Sequence, residues 1–184
     1  MPTDEKDELV SEFIEDVERG LEEGQEPRAF DEEMLTAPIS ELEPREPIVV
    51  EPQVPALEAI TLMQEHRIGC VLVCRAGKLK GIFTERDVLS YVVGSGIDPA
   101  KTPVRKLMTE NPEYLRPTDS IAYALNKMSV GGYRHVPLVD NARSPVGVIS
   151  VKDIIGYIVR FFPKSVMNLP TLPRLNYARE REGA

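Results

Sequence analysis

The sequence predicts a mixed α+β fold: two tandem copies of one β-α-β-β-α unit, an acidic N-terminal helical extension and a proline-containing C-terminal tail. Three observations carry this. The stretch Gly81-Ile82-Phe83-Thr84-Glu85-Arg86-Asp87 returns 66 residues later as Gly147-Val148-Ile149-Ser150-Val151-Lys152-Asp153. Val71-Leu72-Val73 matches Pro137-Leu138-Val139 at the same spacing, whereas upstream the spacing is 65, pairing Leu42 with Leu107, Pro47 with Pro112, Ala59 with Ala124 and Met63 with Met128. One inserted residue near Gly131-Gly132 explains the change. Finally, each motif places an apolar pair before a hydroxyl and an acid three residues on, the pattern of a buried strand running into a capped helix.

The elements follow in order. Residues 1–34 form an acidic extension in which Leu9, Val10, Phe13, Ile14, Val17 and Leu21 fall on one helical face. This predicts either a partner-binding helix or a solvated one. Pro38, Pro44 and Pro47 then break the chain into short pieces. The first repeat, residues 35–98, reads as strand 48–50, helix 55–66 with Ala56, Ala59, Ile60 and Met63 as its apolar stripe, strand 70–74, a turn at Ala76-Gly77-Lys78, strand 79–83 and helix 85–93. A glycine-containing linker covers 94–102. The second repeat, residues 99–163, reads as a short helix 103–108, strand 114–115, helix 120–129 capped by Thr118 or Asp119, strand 135–139, strand 146–149 and helix 151–161. Pro163 stops that helix, and 164–184 form the tail.

Charge is uneven. The net charge is −8, yet residues 1–33 carry 14 acids against 3 bases, leaving the repeats mildly basic. Overall acidity, the absence of Trp and the lack of a basic stripe argue against nucleic acid as a partner. A mildly basic body still suits a small anion. Cys70 and Cys74 lie four apart in a strand, so they share a face with Cα atoms about 13 Å apart, too far for a disulfide. With two histidines, His66 and His135, and no Cys-x-x-Cys, no metal site is expected. The acidic N-terminus is unlike a signal peptide, and no apolar run approaches the roughly 20 residues needed to span a bilayer. A cytoplasmic protein without a membrane partner is the expectation.

At this point the chain resembles the cystathionine-β-synthase (CBS) domain family, whose members occur as tandem pairs. The resemblance rests on the order of elements in both repeats, on Leu107-Met108-Thr109, on the strand Tyr133-Arg134-His135-Val136-Pro137-Leu138-Val139-Asp140, and on both glycine-to-aspartate motifs. The first copy departs from the pattern, with Leu42-Glu43-Pro44 where Leu-Met-Thr is usual. The resemblance implies two domains packed through their sheets around a pseudo-twofold axis, with two clefts for adenosine-containing ligands. Carried onto this sequence, it implies that Asp87 and Asp153 hold ribose hydroxyls and that Thr84 and Ser150 hold phosphate. It also implies a homodimer formed through the helices.

The residue types fit those roles. A carboxylate accepts from two vicinal hydroxyls at once. A hydroxyl at a helix N-terminus sits beside free N–H groups and the positive end of the dipole. Val49 and Val50 with Ile68 in one cleft, and Tyr114 and Leu115 with Val136 in the other, are expected to sandwich the base. Arg67 with His66, and Arg134 with His135, are expected near phosphate. The same Thr84-x-x-Asp87 and Ser150-x-x-Asp153 spacings also approximate a capping box, which needs no ligand.

The leading expectation is thus a non-catalytic regulatory module that binds AMP, ADP, ATP or a related ligand, requires no cofactor and signals to an unidentified protein partner. A structural scaffold without a ligand, or an accessory subunit of an enzyme or transporter, are the alternatives. A catalytic role finds no support in a metal cluster, an activated nucleophile or a Gly-x-x-x-x-Gly-Lys loop.

Overall fold

The structure, a computed structural model, describes residues 32–160. The account concerns the unit Asp31–Ile155; residues 156–160 complete the last helix. The acidic extension and the tail lie outside the described residues, apart from a short helix α1, Glu32–Thr36.

The first repeat contains β1 (Val49–Val50), α2 (Ala56–Glu65), β2 (Cys70–Arg75), β3 (Lys78–Thr84) and α3 (Glu85–Asp87). The second contains β4 (Thr109–Glu110), α4 (Ile121–Gly131), β5 (His135–Val139), β6 (Pro145–Ser150) and α5 (Val151–Val159). One sheet has the order β1-β2-β3-β4, with β1 parallel to β2 and the other neighbours antiparallel; the second is the hairpin β5-β6. The β2-β3 turn holds Ala76 and Gly77 at φ 50° and 71°, as a tight hairpin turn requires.

Alternation along β2 builds two cores. Val71 and Val73 join Val50, Ala56, Ala59, Met63 and Phe83 on the helical side. Cys70, Leu72 and Cys74 point the other way, where they meet Leu79, Ile82 and, from the second repeat, Val139 and Val148. A strand buried on both faces must be apolar throughout, and Cys70-Val71-Leu72-Val73-Cys74 is. The two thiols are free and buried.

Each repeat is completed by the leading segment of the other. The 3₁₀ turn Val104–Lys106 inserts Val104 and Leu107 into the first repeat's core. Its backbone is tied there by Ala56 N–H to Thr102 O and Val104 N–H to Val54 O, both 2.8 Å. The counterpart turn Ile39–Leu42 makes the matching bonds 65 positions earlier or later, Ile121 N–H to Ala37 O at 3.0 Å and Ile39 N–H to Asp119 O at 2.8 Å. The Ala56 and Ile121 bonds satisfy the first N–H groups of α2 and α4, which helices leave without partners. Likewise β4 pairs with β3 of the first repeat, and Arg45 bridges to Val148 on β6 of the second. The exchange obeys a local twofold relation.

Several elements differ from the sequence reading. The helix expected over 103–108 is the 3₁₀ turn, and the strand at Tyr114-Leu115 is reduced to one parallel bridge, Leu115 with Leu138. The helix expected over 85–93 is α-helical only through Asp87, then widens into a π-helix, Val88–Val92. There Val93 N–H reaches back to Val88 O at 3.1 Å, and Ser95 Oγ shares its proton between Tyr91 O and Val92 O. The equivalent α5 stays regular from Val151 to Val159.

Candidate ligand-binding cleft

Both motifs fold into capping boxes. Thr84 Oγ1 accepts from Asp87 N–H at 3.3 Å, while Asp87 Oδ2 accepts from Thr84 N–H and from the Thr84 hydroxyl, both at 2.8 Å. Ser150 and Asp153 repeat the arrangement at 3.3, 2.6 and 2.7 Å. The capping reading of these spacings therefore holds in both copies. Beyond the cap, the first N–H of each of these helices is also engaged. Glu85 N–H is taken by Gly69 O at 3.1 Å and Val151 N–H by Arg134 O at 3.0 Å. The Thr84 and Ser150 hydroxyl protons point at carboxylates, so neither is free for a phosphate while its cap stands.

The caps leave part of the first motif over. Asp87 is 8% exposed and is the one buried charged residue among the described residues. Its hydrogen bonds all fall on Oδ2. No donor among the described residues reaches Oδ1, and since no buried side-chain oxygen is left without a partner there, Oδ1 is the oxygen that remains open to solvent or a ligand.

Asp87 lines a cavity of about 340 Å³, large enough for a small nucleoside-sized ligand. One wall is Thr84, Glu85, Arg86 and Asp87 with Gly69 and Ile82 from the first repeat. The other is Thr109, Asn111, Pro112 and Glu113, followed by Tyr133, Arg134 and His135, all from the second. The strand exchange explains this mixture. Pairing of β4 with β3 carries Thr109 to a position opposite Ile82, so the chain leaving β4 runs beside the Thr84 motif. Gly81 permits the crossing, since a Cβ there would overlap Met108 Sδ.

Charges in the cleft are mixed. Arg86 donates from Nη1 to Gly132 O at 2.8 Å. Glu113 is paired with Lys127 at 2.9 Å on the exposed rim, a contact of small energetic weight, although it holds the Lys127 ammonium above its ordinary pKa. Burial, then the Glu113 carboxylate, raises the Tyr133 phenol. His135 is held below the ordinary imidazole value, first by burial and then by Arg134, with Glu85 and Asp153 opposing. It is therefore neutral at pH 7.

Of the residues expected at a site, Thr84, Asp87, Arg134 and His135 come together in this cavity. Ser150 and Asp153 form the other cap and do not line it. Arg67 and His66 end α2, with Arg67 at φ 50° in the left-handed region, and likewise lie outside the cavity lining. None of the expected apolar sandwich residues lines this cavity: Val50, Leu115 and Val136 are buried core residues, Ile68 packs against the helical core and Val49 is exposed. Tyr114 packs on the inter-sheet core under the Arg143 guanidinium, 5.0 Å from its ring centre. The apolar surface of the cavity comes from Ile82, Pro112 and Tyr133. Asn111, Pro112 and Glu113 reach the cleft only through the strand exchange, which side-chain spacing within one repeat does not report. The match of Pro112 with Pro47 marked the right segment without showing that it crosses over.

Comparison with known proteins agrees with the geometry. The CBS domain pattern matches residues 39–94 and 104–160. The CBS domain-containing protein CBSCBSPB3 of Arabidopsis thaliana is 33% identical over 106 residues, which are 58% of this chain and 19% of that protein; the chain thus spans about a fifth of that relative's length. The crystal structure of a CBS-domain containing protein from Agrobacterium tumefaciens is 33% identical, with a TM-score of 0.58 over 64% of this chain and 93% of that one. A CBS domain protein from Pyrobaculum aerophilum, solved in complex with AMP, is 26% identical, with a TM-score of 0.59 over 63% and 88% of the two chains. With both repeats matched in sequence and in fold, the chain belongs to the CBS domain family and carries two copies in tandem.

Proposed function

We propose that this CBS pair is a non-catalytic regulatory module whose cleft takes an adenosine-containing ligand, a nucleoside monophosphate by size. The observation that carries the reading is the unengaged Oδ1 of buried Asp87, set in a cavity whose opposite wall presents Arg134 and His135. Asp87 Oδ1 accepts from ribose hydroxyls, a charge-assisted contact. The phosphate lies toward Arg134 and His135, away from the committed helix start, and the base lies against Ile82, Pro112 and Tyr133. The AMP complex of the Pyrobaculum relative supports this ligand class. Binding shifts the population between two arrangements of the repeats in proportion to its preference for one of them. A second copy docks on the exposed apolar residues of the helices, Leu89 and Val93 in one repeat and Tyr123 and Val130 in the other.

Calorimetric titration with AMP, ADP, ATP, S-adenosylmethionine and adenosine tests the ligand, using wild type and Asp87→Asn. The expected result is saturable binding of AMP by wild type and at least about tenfold weaker binding by the variant. Equal affinities would leave Asp87 a helix cap alone. No binding by any of the five, to nucleotide-free folded protein, favours the scaffold alternative.

A further inference from the structure

His135 occupies a singular place in the cleft. It begins β5 and lines the cavity, and it stands 66 positions after Gly69, which begins the matching stretch of the first repeat. The two equivalent positions meet. A Cβ on Gly69 would lie 2.8 Å from both Cε1 and Nε2 of the imidazole and 3.5 Å from Glu85 Oε2, so the ring rests on bare backbone with the Glu85 carboxylate close by. No hydrogen bond to either ring nitrogen forms among the described residues, and neither nitrogen is an unsatisfied buried atom. Both are therefore available to a ligand or to water. The charges that face the ring come from three places: Arg134 just before its own strand, Glu85 on α3 and Asp153 on α5.

Resting on the proposed ligand class, we infer that His135 takes up a proton when a phosphate-bearing nucleoside enters this cleft, so that affinity for the charged ligand depends on pH while affinity for adenosine does not. In the empty cleft the ring is neutral, because burial and Arg134 outweigh Glu85 and Asp153. A phosphate adds negative charge in the same partly desolvated space, where a cation gains most. The proton comes from solvent, and the imidazolium then donates to a phosphate oxygen. Linkage fixes the sign: a site that binds a proton together with its ligand binds more tightly as pH falls, by up to about tenfold per pH unit for one proton. The equivalent glycine makes no such contribution, so the two motifs are chemically unequal.

The test is calorimetric titration of wild type and His135→Gln with AMP and with adenosine, from about pH 5.5 to 7.5, in buffers of differing ionisation enthalpy. The phosphate's own protonation near pH 6 is common to both proteins and cancels in the comparison. The expected result is net proton uptake on AMP binding by wild type, and an AMP affinity ratio between wild type and variant that widens as pH falls. Adenosine should show neither effect. As a check independent of the variant, the His135 ring resonance in wild type should titrate at higher pH with AMP than without it. AMP binding with the same pH profile in both proteins, or an unmoved ring titration, overturns the inference and leaves the ligand reading standing. No binding of either ligand at any pH overturns both.

Discussion

The guanidinium of Arg86 donates from Nη1 to the carbonyl of Gly132 at 2.8 Å, joining the first glycine-to-aspartate motif to the second repeat. Gly132 is the residue with φ 66° that ends α4, so the cation sits at the negative pole of a helix whose last carbonyls need donors. From sequence, Arg86 sits in the first turn of its own helix, where its charge is unfavourable. The tertiary contact gives it another helix to serve. Lys152, its counterpart, makes no such bond among the described residues and is exposed.

Arg86→Ala should therefore lower stability by about 1 kcal/mol, and Lys152→Ala should stay within about 0.5 kcal/mol of wild type. Urea denaturation of the two variants checks the contrast. Equal effects would make the Gly132 contact energetically silent.

Asp87→Ala and Asp153→Ala should each lose roughly 1–2 kcal/mol, because each carboxylate accepts two hydrogen bonds at a helix start. Thermal melts measure the stability, and AMP titration separates the roles, with Asp87→Ala alone losing affinity at the cavity described.

Gly69→Ala should drive a methyl group into the His135 ring, costing about 1–3 kcal/mol and reshaping the cleft. Combining it with His135→Ala removes the obstacle, so the double variant should be more stable than the sum of the single losses predicts. A double-mutant cycle from denaturation curves measures that coupling; simple additivity would mean the two positions do not meet.

The thiols give a pH prediction. Burial, and secondarily Glu85, pushes Cys70 from the ordinary 9.0 to about 12; burial, then Glu51, pushes Cys74 to about 11. A thiol whose folded pKa is raised stabilises the fold below the ordinary value and loses that contribution as pH rises through the folded one. Stability should therefore decline from about pH 9 upward, and a Cys70→Ala, Cys74→Ala variant should decline less. Near pH 8 both thiols should resist alkylation until the protein is unfolded, which mass spectrometry reads directly.

The local pieces were legible in the sequence because they rest on short-range physics. A repeat in register reports two copies of one unit. Apolar periodicity reports the buried stripe Ala56, Ala59 and Met63, and a hydroxyl three residues before an acid reports the caps at Thr84 and Ser150. Tertiary structure alone decided which repeat supplies which wall of the cleft. Backbone pairing carries β4 across to β3 and Arg45 across to β6, and hydrogen bonding between peptide groups leaves no mark in side-chain spacing. That is why Thr84 and Asp87 meet Arg134 and His135, and why Val50 and Val136, apolar and correctly assigned to strands, are core residues. Sequence determined the parts and their twofold repetition; long-range strand pairing decided their partners.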